Sequence, residues 1–263
     1  VFAVLRVTLK GIFRDRVFHG ILMTALLFLF IPSIGTLSMR QVTELSLTLS
    51  LSLISFILLL ISVFLGGTSL WKDMERRYTF SVIGLPISRQ GYVVGKFAGI
   101  ACFLLLCGMV LGVIACLVVW SVAGTYPPPR PVVWLTLYCA IIFDAMKYVL
   151  LVAVSFLLSS VSTSFFLPVF GTISVFLVGG ATQQVYEFVN SPAGKTVSPF
   201  IRKLASGLYY LVPNFAAFDL KVNAIYSIPL SLRGLMLTGM YWLVYTSLVL
   251  MLATTLFARR ELQ

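Results

Sequence analysis

Six stretches of this sequence, at about 17–37, 47–71, 97–122, 134–158, 165–185 and 234–257, run for some twenty residues with almost no charge. Helices of that length cross the hydrocarbon core of a bilayer, where a backbone polar group finds no partner outside its own helix. The chain is therefore expected to be an all-α polytopic membrane protein with six transmembrane helices, a single transmembrane domain over residues 1–263. Composition agrees, because 60% hydrophobic and 10% charged residues leave too little polar surface to cover a soluble globule of this size.

Six spans put both termini on one side, and the cations say which. Arg6, Lys10, Arg14 and Arg16, five Lys/Arg residues between the second and third spans, and Arg259 with Arg260 would all share the side of the termini. The short loops opposite hold Arg40 and Arg130, and the long 186–233 segment carries little weight in orientation. Both termini are expected in the cytoplasm. The net charge of +11 is thus read as an orientation signal rather than a nucleic-acid surface, since no basic face interleaved with aromatics accompanies it.

The most informative segment is 72–96, which holds five of the nineteen Lys/Arg and two of the eight Asp/Glu residues. Met74, Tyr78 and Val82 recur at helical spacing, so a stub helix would carry one apolar face away from Arg76 and Thr79, with Glu75 at its edge. Gly84 stops it, Pro86 forbids continuation, and Ser88 can cap a new helix that enters the third span. Such a stub lies outside the bilayer with a face to offer a partner.

Glu75, Arg76 and Thr79, then Leu85-Pro86-Ile87-Ser88-Arg89, then Tyr92, Gly95 and Lys96 make this segment resemble the loop between the second and third spans of ABC-2-type permeases, the membrane subunits of type II ABC exporters. The ending Phe257-Ala258-Arg259-Arg260-Glu261-Leu262 is similar to endings in the same family, whose short-loop members linked to copper-enzyme maturation fit best. The resemblance implies a permease half that pairs with a second membrane subunit, a copy of itself, and with two cytosolic ABC ATPases that hold ATP and Mg. It also implies a bacterial or archaeal cytoplasmic membrane, and alternating access driven by the ATPases pulling on the stub, a coupling helix. Glu75, Arg76, Arg77 and Arg89 would carry the coupling contacts, with Tyr78 or Val82 as the apolar anchor.

Residues 1–16 read as an interfacial helix before the first span: Phe2, Leu5, Leu9, Ile12 and Phe13 form one stripe, and Arg6, Lys10 and Arg14 another. A signal-peptide start is the competing reading, but no small-residue cleavage site follows the long apolar region. Segment 186–233 is read as an outer stretch with helices lying on or dipping into the membrane, as the family commonly has there, because Leu204–Phe218 is short for a span and contains Pro213. Tyr126-Pro127-Pro128-Pro129-Arg130-Pro131 reads as a stiff outer turn without chemistry.

Catalytic chemistry is not expected. The sequence has no GxxxxGK[ST] phosphate loop, so energised transport requires a separate ATPase. His19, the one histidine, begins a span and reads as an interfacial residue. Cys102, Cys107, Cys116 and Cys139 have neither metal-ligand spacing nor a disulfide framework and read as apolar packing, so neither a metal nor a cofactor is expected in this chain.

Asp144 and Lys147 fall inside the fourth span, where each charge costs about 2.5–3.5 kcal/mol on insertion scales. Three residues apart, they share a helix face as an intramembrane ion pair. A pair buried between helices, a hydrated pathway or moving interface, and a proton relay all remain open, the last weakened because no other acid is expected at that depth. Thr48, Ser52, Ser55 and Ser62 form a hydroxyl stripe on the second span that either lines a pathway or bonds back to its own helix. The resemblance tilts it to the pathway, since the second and fifth spans of the family face the central cavity, and Pro168, Gly171, Gly179 and Gly180 make the fifth bendable. Gly95-xxx-Gly99 and Gly108-xxx-Gly112 permit close helix approach within the subunit. A sparsely charged interior suits a hydrophobic, lipid-like or peptide cargo. The alternatives are a non-transporting scaffold or sensor of the same architecture, and a proton-coupled secondary carrier.

Overall fold

The computed structural model describes residues 2–13, 16–36, 41–75, 88–128, 130–192 and 197–259. The described residues are helical throughout their regular parts and contain no strand. Helix α1 is Phe2–Phe13; α2, Arg16–Ala25, runs through a 3-10 stretch, Leu26–Phe30, into α3, Ile31–Gly35. Next, α4, Val42–Ile61, widens into a π turn, Ser62–Gly66, before α5, Gly67–Glu75. Helices α6, Arg89–Thr125, α7, Trp134–Val161, and α8, Phe166–Asn190, follow. Then come α9, Pro199–Leu211, a 3-10 turn at Phe215–Phe218, the short α10, Lys221–Ile225, and α11, Leu232–Arg259.

Five helices are long and apolar enough to cross a membrane: Val42–Asp73, Arg89–Thr125, Trp134–Val161, Phe166–Asn190 and Leu232–Arg259. The chain is an all-α polytopic membrane protein. Four of these helices start within a few residues of the expected spans, while α6 begins eight residues before its expected 97, because its cap precedes the apolar run. The Ser88 side chain accepts the Gly91 amide at 3.1 Å, the N-cap read from the sequence.

The stretch expected to form the first span departs from a single long helix. Its apolar portion, Met23–Gly35, is shorter than the other five, and Pro32 explains the 3-10 stretch before it. Proline has no amide to give the Phe28 carbonyl four residues back, and its ring crowds that carbonyl. The Phe28 carbonyl instead accepts the Ile31 amide three residues on.

Helix α7 is the centre of the bundle. Val149, Leu150, Leu151, Val152 and Ala153 are buried in succession, so over this stretch every face of the helix is covered by protein. Glycines bring α6 against it: a Cβ on Gly108 would lie 3.3 Å from the Ala145 Cβ, and one on Gly112 would lie 3.1 Å from Ile141. Gly99 faces α1, with Thr8 Cβ 2.9 Å from the same hypothetical atom. Helix α1 buries Val4 and Ile12 and leaves Arg6 and Lys10 exposed; Phe13 meets Phe103 edge-on at 5.6 Å.

At the far end of the bundle the chain folds back. Helix α9 rests on the end of α8 through Tyr186 and Tyr209, stacked at 4.2 Å. The residues after it run down between α8 and α11. The Tyr245 hydroxyl donates to the Leu211 carbonyl at 2.8 Å, the Asn214 amide donates to the Tyr241 hydroxyl at 2.9 Å, and the Asn214 side chain donates to Gln183 at 3.0 Å. Phe215 and Phe218 are buried there. Tyr245 lies midway along α11, some 20 Å from its start at the rise of an α-helix, so the fold-back reaches the middle of the bundle. Ser227 then ties the returning chain to the Pro131 carbonyl at 2.8 Å.

Candidate functional site

The fold gathers polar side chains at two levels. The first lies where the chain leaves α5 and re-enters through α6. Lys96, 7% exposed, is buried on the second turn of α6. Its ammonium donates to the Ser69 carbonyl at 2.8 Å and pairs with Asp73 in the last turns of α5. The Tyr92 hydroxyl donates to the same Asp73 oxygen. The sequence reading places Lys96 among cations facing water; the structure makes it an internal tie, and burial is tolerable because carbonyl and carboxylate both accept from it. Asp73 escaped the sequence reading. Its signal was weak but present, an acid and a base flanking the polar segment at the mouths of the two helices.

Of the proposed coupling residues, Arg76, Arg77, Tyr78 and Val82 lie outside the described residues, as do Thr79, Gly84 and Pro86. Glu75 closes α5. Arg89 opens α6 and donates from Nη1 to the Ala258 carbonyl at 3.3 Å, so the start of α6 touches the end of α11.

The second level is the middle of α7. Asp144 and Lys147 are 5% and 6% exposed, with Lys147 Nζ 2.5 Å from Asp144 Oδ1. Ser55, from α4, donates to the same Oδ1 at 3.1 Å, and its hydroxyl is 2.8 Å from that of Tyr148. The ammonium also sits 4.6 Å from the centre of the Tyr148 ring. Asp144 Oδ2 is buried without a partner. Tyr148, Phe176 and Phe215 form a run of rings with centroids 5.9 Å apart at each step, linking the pair to the fold-back.

The hydroxyl stripe is divided by this packing. Thr48 and Ser52 are exposed, with Thr48 bonded to the Glu44 carbonyl at 2.8 Å. Ser55 joins the ion pair, and Ser62 is buried with its hydroxyl on the Leu58 and Leu59 carbonyls. In a chain with the native cysteines replaced, single cysteines at 48 and 52 are expected to react with a polar thiol reagent much faster than cysteines at 55 and 62. Equal rates at all four would show that the stripe meets water as one surface.

No protein-family model and no curated protein matches the chain.

Among the described residues no cluster of three or more His, Cys, Asp or Glu side chains forms. The mid-bundle group is a carboxylate, an ammonium and two hydroxyls, which can share protons and bind polar groups but supply no activated nucleophile.

Proposed function

We propose that this chain is the membrane-spanning subunit of an ATP-driven exporter of ABC-2 type, with both termini in the cytoplasm. It works with a second copy of itself and two cytosolic ATPase subunits that bind ATP and Mg. Its cargo is a hydrophobic, lipid-like or peptide molecule, moved by alternating access. The observation that carries the reading is the joint of Asp73, Tyr92 and Lys96. It sits at the root of the one polar segment whose sequence resembles a permease coupling loop, and it supports a mechanical role for that segment. The α1 helix packed against the start of α6 and the fold-back at the opposite end suit the same architecture.

Co-purification with the candidate ATPase, followed by a screen for ligand-stimulated ATP hydrolysis, tests the reading. Single exposed charges contribute only about 0–1 kcal/mol to a contact, so one substitution is expected to be tolerated. The double change Glu75→Ala with Arg76→Ala is expected to abolish the complex or uncouple hydrolysis while the membrane chain stays folded. Normal transport by that variant would remove the segment from the mechanism. A complex that forms but responds to no ligand would favour a scaffold or sensor.

A further inference from the structure

We infer that Asp73, Tyr92 and Lys96 are positioning residues that lock the end of α5 to the start of α6, making the two a single lever that swings on the π turn Ser62–Gly66. This deepens the function proposed above, because the lever would be what a coupling partner pushes.

A buried ion pair contributes little to stability compared with apolar side chains of the same volume, and its best-attested use is to fix the register of two elements. Asp73 accepts from both a hydroxyl and an ammonium of α6, at positions one helical turn apart. Two points of attachment on one carboxylate resist sliding as well as separation. The third contact, from Lys96 to the Ser69 carbonyl, anchors the ammonium one turn further up α5.

Above this lock the helix changes character. The π turn interrupts the regular hydrogen-bond ladder, and such bulges recur at functional positions. Its last residue, Gly66, and the next, Gly67, both rest on other spans with no side chain of their own between. A Cβ on Gly66 would lie 2.5 Å from Ser155 Oγ, and one on Gly67 would lie 3.4 Å from Val169 and 3.5 Å from the backbone of Pro168. Ser159 donates to the Gly67 carbonyl at 3.1 Å. The root of the lever therefore bears directly on α7, eight residues beyond Lys147, and on the start of α8. A swing at the lock reaches the helix that carries the mid-bundle pair.

The test uses the full chain with native cysteines replaced and spin labels at Lys72→Cys and Gln90→Cys, one on each arm of the lock. The distance distribution is expected to be narrow in this parent, to broaden at least roughly twofold in Lys96→Met, and to narrow again when the charges are reversed by Asp73→Lys with Lys96→Asp. Tyr92→Phe removes one hydroxyl and is expected to give an intermediate width; it decides the matter should Lys96→Met fail to fold. Equal widths in the parent and in Lys96→Met, or in Tyr92→Phe where that variant decides, would overturn the lock. So would a reversed pair that stays as broad as the single variant. A second readout uses the complex: Lys96→Met should still bind the ATPase but lose most of the membrane chain's effect on ATP hydrolysis. If the parent binds no ATPase, the proposed function falls, and the distance measurements still decide the lock.

Discussion

Replacing Lys147 with Met is expected to destabilise the folded chain by about 3–5 kcal/mol, as removal of one partner from a buried pair commonly does. Asp144 would then be left in the middle of the bundle with only the Ser55 hydroxyl on it, its second oxygen being already unpartnered. Because Asp144 and Lys147 are both buried among packed helices, water cannot take the place of the ammonium without prising them apart. Replacing both residues, Asp144→Leu with Lys147→Met, is expected to recover most of the loss, since well-packed apolar groups of similar volume replace buried pairs at little cost. Unfolding in mild detergent, followed by titration with a harsher one, measures both. A double variant as unstable as the single one would show that the pair's charges are not what the site depends on. A double variant that is stable but inactive would assign the pair to function rather than folding.

The two neighbouring glycines of α8 are expected to behave in opposite ways. A Cβ on Gly179 would fall 2.4 Å from the Pro213 carbonyl oxygen and 2.6 Å from the Phe215 ring, whereas one on Gly180 would meet nothing within 4 Å. In Gly179→Leu the fold-back has to leave its seat, and the burial of Phe215 and Phe218 goes with it. Losing large core aromatics costs about 3–5 kcal/mol each, so the segment should detach rather than adjust. Gly180→Leu should be neutral or slightly stabilising, because leucine is the better helix former by somewhat under about 1 kcal/mol. Limited trypsin digestion reads the difference, with cleavage after Arg202, Lys203 and Lys221 rising in the first variant alone. Equal resistance in the two would mean that the fold-back is not seated on Gly179.

Much of the architecture was legible because hydropathy is a sum over many residues. Trp134–Val161 and Leu232–Arg259 come within a few residues of the stretches expected from apolar content alone. The break in the first helix was also written in the sequence, in Pro32, but its effect falls on the turn before the proline, where Leu26–Phe30 looks like any other apolar run. The candidate sites were harder. Asp144 and Lys147 were visible as charges in an apolar run, while Ser55 joins them and Tyr148 only once α4 packs on α7. Lys96 misled because a lysine near a span end is normally solvated, and only the position of Asp73 turns it inward. The exposed and buried halves of the hydroxyl stripe could not be told apart from spacing, since spacing fixes a face but not what covers it.

The π turn of the second span holds one residue more than a regular turn. The spare residue is a stored rotation. Were Ser62–Gly66 to tighten into an ordinary α-turn, everything after it would turn by about 100° relative to α4, the angle one residue occupies on a helix. That rotation would carry Asp73 away from Tyr92 and Lys96, whereas deleting one residue there would remove the spare itself and leave a regular helix with Asp73 still on its partners. The tightened form would be a bundle of nearly the same shape, with its polar handle facing another way.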